Sequence, residues 1–281
     1  MNELNRKTAV VTGAASGLGL AMARAFCREG MRVVLVDLPG MALERALASL
    51  VEEGGDALAI ATDVADAGAV DVLAERIDAL GGVDLLCNNA GITGDRPRAS
   101  WAHDLSNWRR VLDVNLMGVI HGLHSFVPRM IASGRPGHIV NTASMGGLMA
   151  IPFIAPYVAA KAALVALSES LAMELRAEGT AIGVSVLCPG MVRSGLTGPG
   201  RDHRQSTAQE PSAAARQFQA RTQETLANAR LSADDVATAL IAAIREDRFY
   251  VLTHEGSLEL AGQRWQRLNH EQSIRNRSPQ A

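Results

Sequence analysis

Apolar and polar positions along the chain follow two periods in turn. Short runs rich in Val, Ile and Leu recur at 8–13 (TAVVTG), 31–37, 57–64, 83–91, 137–144, 182–190 and 248–253. Between them lie stretches with helical spacing, at 18–30, 41–53, 67–80, 104–132, 155–178 and 232–246. Pro128 falls inside the long fourth stretch and predicts a break there. Strands apolar on both faces and separated by helices predict a parallel sheet covered on both sides. Right-handed crossovers make that order an α/β doubly wound, mostly parallel sheet, the Rossmann fold, whose ligands sit at the carboxyl ends of the strands. One domain is expected over 1–281, with a core at 5–255 and an Arg-rich helical tail from about 256 to 281. The polar stretch 193–230 shows no clear period. Its most biased part, 199–225, reads either as a disordered insertion or as part of a lid at roughly 191–230.

Composition narrows the class. Charged residues are 20% and the hydrophobic set 48%, a globular balance. A net charge of -2 leaves no basic surplus for nucleic acid or an anionic membrane, so neither partner is expected. No apolar run approaches the ~18 residues of a membrane span, and the N-terminus lacks a signal-peptide core. Cys27, Cys87 and Cys188 are too far apart in sequence for a metal cluster or a disulfide framework. No metal is expected, and a reducing cytoplasm is the simplest setting.

VVTGAASGLG places Gly13, Gly17 and Gly19 between the first strand and the first helix. Glycine there permits a tight turn and lets phosphate oxygens approach backbone N–H groups at a helix N-terminus. Alone the turn is weak evidence; its place after the first strand favours a dinucleotide site, with Ser16 and Leu18 in contact. Asp37 ends the second strand, where a carboxylate accepts hydrogen bonds from an adenosine ribose diol and repels a 2′-phosphate. Ser16, Leu38 and Pro39 offer no cation to offset that repulsion, so the expected cofactor is NAD(H). Asp63, followed by Val64, stands where a carboxylate can bond the adenine amino group. Asn89, Ala90 and Gly91 end the fourth strand and let the backbone run along the ribose; they can equally be a plain turn.

The chain has two tyrosines, and its lysines are Lys7 and Lys161. One of each stands four apart in PYVAAKAAL, so Tyr157 and Lys161 share a helix face. Phenol, with a pKa of ~10, is a poor base at neutral pH. An ammonium beside it, with a nicotinamide cation, is expected to lower that value and make Tyr157 a general acid/base. Ser144, at the end of the fifth strand, can hold the substrate oxygen while Tyr157 moves the proton. Asn115 is either a satisfied core amide or the holder of a water linking Lys161 to solvent. After the sixth strand come Pro189, Gly190 and Met191, with the Val192 backbone able to bond the nicotinamide carboxamide.

TGxxxGxG, NNAG, Asn115, Ser144, Tyr157, Lys161 and the Pro189–Gly190 turn, in order over residues 7 to about 195, resemble the short-chain dehydrogenase/reductase family. The resemblance implies reversible hydride transfer between nicotinamide C4 and a secondary alcohol or ketone, in dimers or tetramers. It implies that Ser144 orients the substrate and Tyr157 is the acid/base. Lys161 then also binds the nicotinamide ribose, and Asn115 supports the relay. Ser194 stands where Thr is usual, which weakens its carboxamide contact. Residues 126–140, and a final strand followed by a helical tail, are similar to bacterial dehydrogenases that oxidise the benzylic alcohol of lignin-derived aryl ethers.

Between Ser144 and Tyr157 the chain has no charge and offers Met145, Leu148, Met149, Ile151, Phe153 and Ile154. With Met191 and Leu196 these suggest a pocket for an apolar or aromatic group, although several can equally belong to the core. Arg96, Arg98, Trp101, Arg193, Arg201, His203 and Arg204 flank the site, either solvated or steering an anion. Two functions stay open. One is an NAD-dependent enzyme; the other is a redox-sensing or scaffolding protein that binds the dinucleotide without turnover.

Overall fold

The structure, a computed structural model, describes residues 1–193 and 210–275, with side chains through 271. Strands β1 (Thr8–Thr12), β2 (Arg32–Asp37), β3 (Ala57–Ala61), β4 (Leu85–Asn88), β5 (Gly137–Thr142), β6 (Ile182–Cys188) and β7 (Tyr250–Leu252) form one sheet. Its order is β3-β2-β1-β4-β5-β6-β7, and every pairing is parallel. The helices are α1 (Gly17–Arg28), α2 (Met41–Glu52), α3 (Ala67–Ala79), α4 (Leu105–Leu112) and α5 (Gly118–Ala132), then α6 (Met145–Leu148), α7 (Ala155–Ala177), α8 (Ala213–Ala227), α9 (Ala233–Arg245) and α10 (Ser257–Arg275).

Alternation along β1 shows how both faces are covered. Ala9 and Val11 pack with Met22 and Phe26 of α1, Leu50 of α2 and Leu240 of α9. Val10 points the other way, towards Leu73 and Ile77 of α3, Phe126 of α5 and Leu171 of α7. Growth of the sheet reverses between β1 and β4, and the crevice this leaves at their carboxyl ends is where a doubly wound sheet takes its ligand.

The structure corrects four expectations. Helix α5 runs through Pro128, because its buried Phe126 and Met130 anchor the turn around the proline. The irregularity of this long helical stretch is instead a π-helical turn at Asp113–Met117. Strands β3, β4 and β6 stop at Ala61, Asn88 and Cys188, so residues 62–64, 89–91 and 189–190 are loops rimming the crevice. A short helix, α6, follows Ser144. Finally, the aperiodic polar stretch contains α8, whose N-cap Ser212 accepts a hydrogen bond from the Ala215 N–H. The rest of the region read as a lid, 194–209, with Ser194, Leu196, Arg201, His203 and Arg204, lies outside the described residues.

Candidate active site

The glycine turn is built against the end of β4. Gly13 and Gly17 have φ of 67° and 59°, in the left-handed region that favours glycine. A Cβ on Gly13 would stand 2.8 Å from the Ala90 Cα, and one on Gly19 would stand 2.2 Å from the Gly13 carbonyl oxygen. Thr12 ties the two edges of the crevice together. Its hydroxyl accepts from the Asn89 N–H (2.8 Å) and Ala90 N–H (3.0 Å), while its carbonyl accepts from the Asn89 side-chain amide (2.9 Å). Asn89 is therefore part of the scaffold.

The turn has the properties of an anion site. Ser16 is the N-cap of α1, yet its side chain makes no capping hydrogen bond, and its buried hydroxyl oxygen has no partner. A phosphate at the head of α1, beside Leu18 and the first-turn N–H groups, would satisfy it. The dinucleotide that the turn predicts thus fits the residues present. The Asp37 carboxylate accepts from the Ala15 and Leu38 N–H groups, each at 2.8 Å, which holds it against the turn. Leu38 is exposed. Asp63 is exposed and accepts from the Ala65 N–H at 3.0 Å. Val64 is buried against Gly118 of α5, and its carbonyl accepts from His121 Nδ1 at 2.9 Å.

The second cluster lies where β5 and the start of α7 converge. Ser144 caps α6, its Oγ accepting from the Gly146 N–H at 3.1 Å. A Cβ on Gly146 would lie 3.6 Å from both this Oγ and the Tyr157 ring, so the two side chains flank one position. Lys161 is 3% exposed, and its Nζ donates to the Thr142 carbonyl at 2.7 Å. That Nζ lies 5.8 Å from the centre of the Tyr157 ring. Gly91 brings the loop after β4 into the cluster: a Cβ there would be 3.3 Å from Asn115 Oδ1 and 3.5 Å from Lys161 Nζ.

Two chemical expectations change. Burial raises the Tyr157 hydroxyl above its ordinary pKa, with the Ser144 hydroxyl pulling weakly the other way. Burial also pushes the Lys161 ammonium down, to about 8. In the protein alone burial therefore outweighs any lowering of the phenol's pKa by the Lys161 ammonium, which is itself desolvated and directed at Thr142. Asn115 is fully buried in the π-helical turn, and its amide pairs with the Ile92 backbone. Oδ1 accepts from the Ile92 N–H and Nδ2 donates to the Ile92 carbonyl, each at 2.8 Å. Its side chain staples the Ile92 backbone, with one amide N–H and one oxygen lone pair left over.

Of the pocket candidates, Met149, Ile151, Phe153, Ile154 and Met191 are partly or fully exposed. Met145 is buried, its N–H donating to the Pro189 carbonyl at 3.0 Å, and Leu148 packs into the core. Ile154 leans on Tyr157 and Val111. Phe153 has φ of 66°, a strained conformation for a non-glycine residue. Its carbonyl accepts from the Arg98 N–H (2.8 Å) and His103 Nε2 (3.2 Å), and its ring meets Phe218 of α8 at 5.6 Å. Burial lowers the pKa of His103, keeping it neutral in this role. Arg98 is 7% exposed, so it is not a solvated loop residue, and its buried Nε has no partner. Arg96 is exposed, Trp101 is 91% exposed, and Arg193 is exposed.

Sequence reasoning missed Thr12, His103, Phe218 and His254. Each acts through a partner far along the chain; Thr12 opens the TGxxxGxG motif, but His103, Phe218 and His254 sit in none. Among the described residues no cluster of His, Cys, Asp or Glu could hold a metal ion, and no helix is long and apolar enough to cross a membrane.

Residues 7–205 match the family model described as short chain dehydrogenase. The 1-deoxy-11-beta-hydroxypentalenate dehydrogenase of Streptomyces avermitilis is 38% identical over 252 residues, 89% of this chain and 86% of that protein. The C alpha-dehydrogenase of Sphingobium sp. is 40% identical over 198 residues, 70% of this chain and 64% of that protein. The crystal structure of a short chain dehydrogenase/reductase from Burkholderia phymatum in complex with NAD aligns at TM-score 0.88 and 37% identity, covering 100% of this chain and 99% of that one. The chain belongs to the short-chain dehydrogenase/reductase family and is an oxidoreductase with a nucleotide-binding Rossmann fold.

Proposed function

We propose that this oxidoreductase interconverts a secondary alcohol and a ketone with NAD(H), using Tyr157 as general acid/base. The observation that carries the reading is the convergence of Ser144, Tyr157 and Lys161 around Gly146 and Gly91, at the same sheet edge as the glycine turn. Gly13, Ser16, Gly17, Leu18 and Gly19 would hold the pyrophosphate, Asp37 the ribose diol, Asp63 and Val64 the adenine, and Ala90 and Gly91 the adjoining ribose. The Val192 N–H makes no hydrogen bond among the described residues, which suits it to the carboxamide. Asp37 without a cation at Ser16, Leu38 or Pro39 favours NAD over NADP, and the NAD-bound relative supports the same choice.

NAD+ supplies the hydride acceptor, its nicotinamide C4. In oxidation the substrate's hydroxyl proton passes to the Tyr157 phenolate oxygen while Ser144 Oγ holds the same substrate oxygen; in reduction Tyr157 returns the proton. The phenolate is costly in so dry a site, and the Lys161 ammonium, whose Nζ also donates to the Thr142 carbonyl, stabilises it. Met149, Ile151, Phe153, Ile154 and Met191 favour an apolar or aromatic substrate. Exposed Trp101, Leu105 and Met117 support self-association into a dimer or tetramer, and three free cysteines suit a reducing cytoplasm.

Screening secondary alcohols, benzylic ones included, with NAD+ and NADP+ while following absorbance of the reduced cofactor tests this reading. Turnover with a strong preference for NAD+ is expected. Equal kcat/KM for the two cofactors would remove the NAD assignment. Binding of NADH with no turnover on any alcohol or ketone would favour the sensor or scaffold instead.

A further inference from the structure

The parallel register of β6 and β7 pairs Cys188 with Leu252. Continued two residues further, it brings Gly190 opposite His254, and there an imidazole replaces the backbone ladder. The Gly190 N–H donates to His254 Nδ1 at 3.2 Å, and His254 Nε2 lies 2.9 Å from the Met191 carbonyl. A backbone N–H can only donate and a carbonyl can only accept, so Nδ1 is the bare nitrogen and Nε2 carries the proton. The Thr253 hydroxyl, 2.9 Å from Nδ1, can then donate to that nitrogen as well. Gly190 is glycine because the ring lies on it: a Cβ there would stand 3.1 Å from Cγ of the imidazole. On the other flank the Pro189 carbonyl is held by the Met145 N–H at 3.0 Å.

The bond to Met191 has a directional consequence. The Met191 carbonyl and the Val192 N–H belong to one peptide unit, which is planar and trans, so they point in opposite directions. Pinning the carbonyl on His254 sets the plane of that unit and therefore the direction of the Val192 N–H, and a donor at its oxygen polarises that N–H. We infer that His254 is a positioning residue of the cofactor site, presenting the Val192 N–H to the nicotinamide carboxamide. It rests on the cofactor reading above. It goes beyond the family match, since His254 lies outside residues 7–205. It also makes the chain segment after β7 part of the active site.

The test compares NADH with ADP-ribose, which keeps the adenosine and both phosphates but lacks the nicotinamide. Binding of each is followed calorimetrically for wild type, His254→Ala, His254→Gln and His254→Asn, with thermal unfolding as a check on folding. Glutamine can place an N–H near the position of Nε2, whereas asparagine reproduces only the Nδ1 acceptor. His254→Ala should weaken NADH about tenfold, the scale of one lost well-placed hydrogen bond and the disorder that follows, and leave ADP-ribose within about twofold. Glutamine should recover most of the NADH loss, and asparagine little of it.

Equal losses for both ligands, or no loss for either, would overturn the assignment, as would rescue by asparagine as complete as by glutamine. If His254→Ala does not fold, the glutamine–asparagine comparison decides alone. Failure of the cofactor reading shows itself separately, in wild type that binds neither ligand. If wild type takes NADPH instead, NADPH and 2′-phospho-ADP-ribose carry the same comparison, and binding of no dinucleotide would sink both proposals.

Discussion

Replacing Lys161 with methionine should stabilise the cofactor-free protein at neutral pH while removing its activity. The Lys161 ammonium is pushed from 10.5 to about 8 by burial. At 1.36 kcal/mol per pKa unit, this costs the folded state about 3 kcal/mol at pH 7. Methionine has a similar volume and no charge, and forfeits the 2.7 Å hydrogen bond to the Thr142 carbonyl, a loss of about 1 kcal/mol. The net gain is then about 2 kcal/mol at pH 7. Between pH 8 and 10.5 the unfolded chain binds more protons at this site than the folded one, so wild-type stability rises with pH through that window. By pH 9.5 the wild-type penalty has fallen to about 1 kcal/mol, and the advantage of Lys161→Met should fall to about zero. Urea unfolding of both proteins without cofactor, at pH 7 and pH 9.5, measures this directly. A variant less stable than wild type at pH 7, or a difference that does not change with pH, would refute the reasoning.

Tyr157→Phe should lower kcat by more than about a hundredfold, while a fluorescence titration should find NADH binding nearly unchanged because the ring still packs. Gly19→Ala puts a Cβ 2.2 Å from the Gly13 carbonyl; NADH affinity should drop about tenfold or more as the turn is displaced from the head of α1. Asp37→Ser with Leu38→Arg should move the ratio of kcat/KM values towards NADP+, since it removes the carboxylate and supplies a cation. Lys161→Arg keeps the charge but needs a wider slot than the one beneath Thr142; a large fall in kcat is expected, and near-wild-type kcat would show that any cation serves there.

Much of this protein was legible in the chain because the evidence was local. Apolar runs and helical spacing are short-range patterns, and together with crossover handedness they leave few arrangements besides the doubly wound sheet. Gly13, Gly17 and Gly19 are readable as a turn because backbone conformation is a property of the residue itself. Tyr157 and Lys161 are readable as a pair because four residues on a helix bring two side chains to one face. Tertiary structure decided what those residues experience. Burial raises the Tyr157 pKa, lowers that of Lys161 and turns its ammonium to Thr142, none of which spacing can express. The Asn115 amide pairs with the backbone of Ile92, 23 residues away. Packing carries α5 through Pro128 against the local preference of proline. Phe153 is held at positive φ by Arg98, His103 and Phe218, and the Pro189–Gly190 turn by His254, 64 residues beyond Gly190. Such contacts depend on where distant segments meet once the core has closed, and the energy that maintains them comes from that whole core and from no stretch of sequence around the residue.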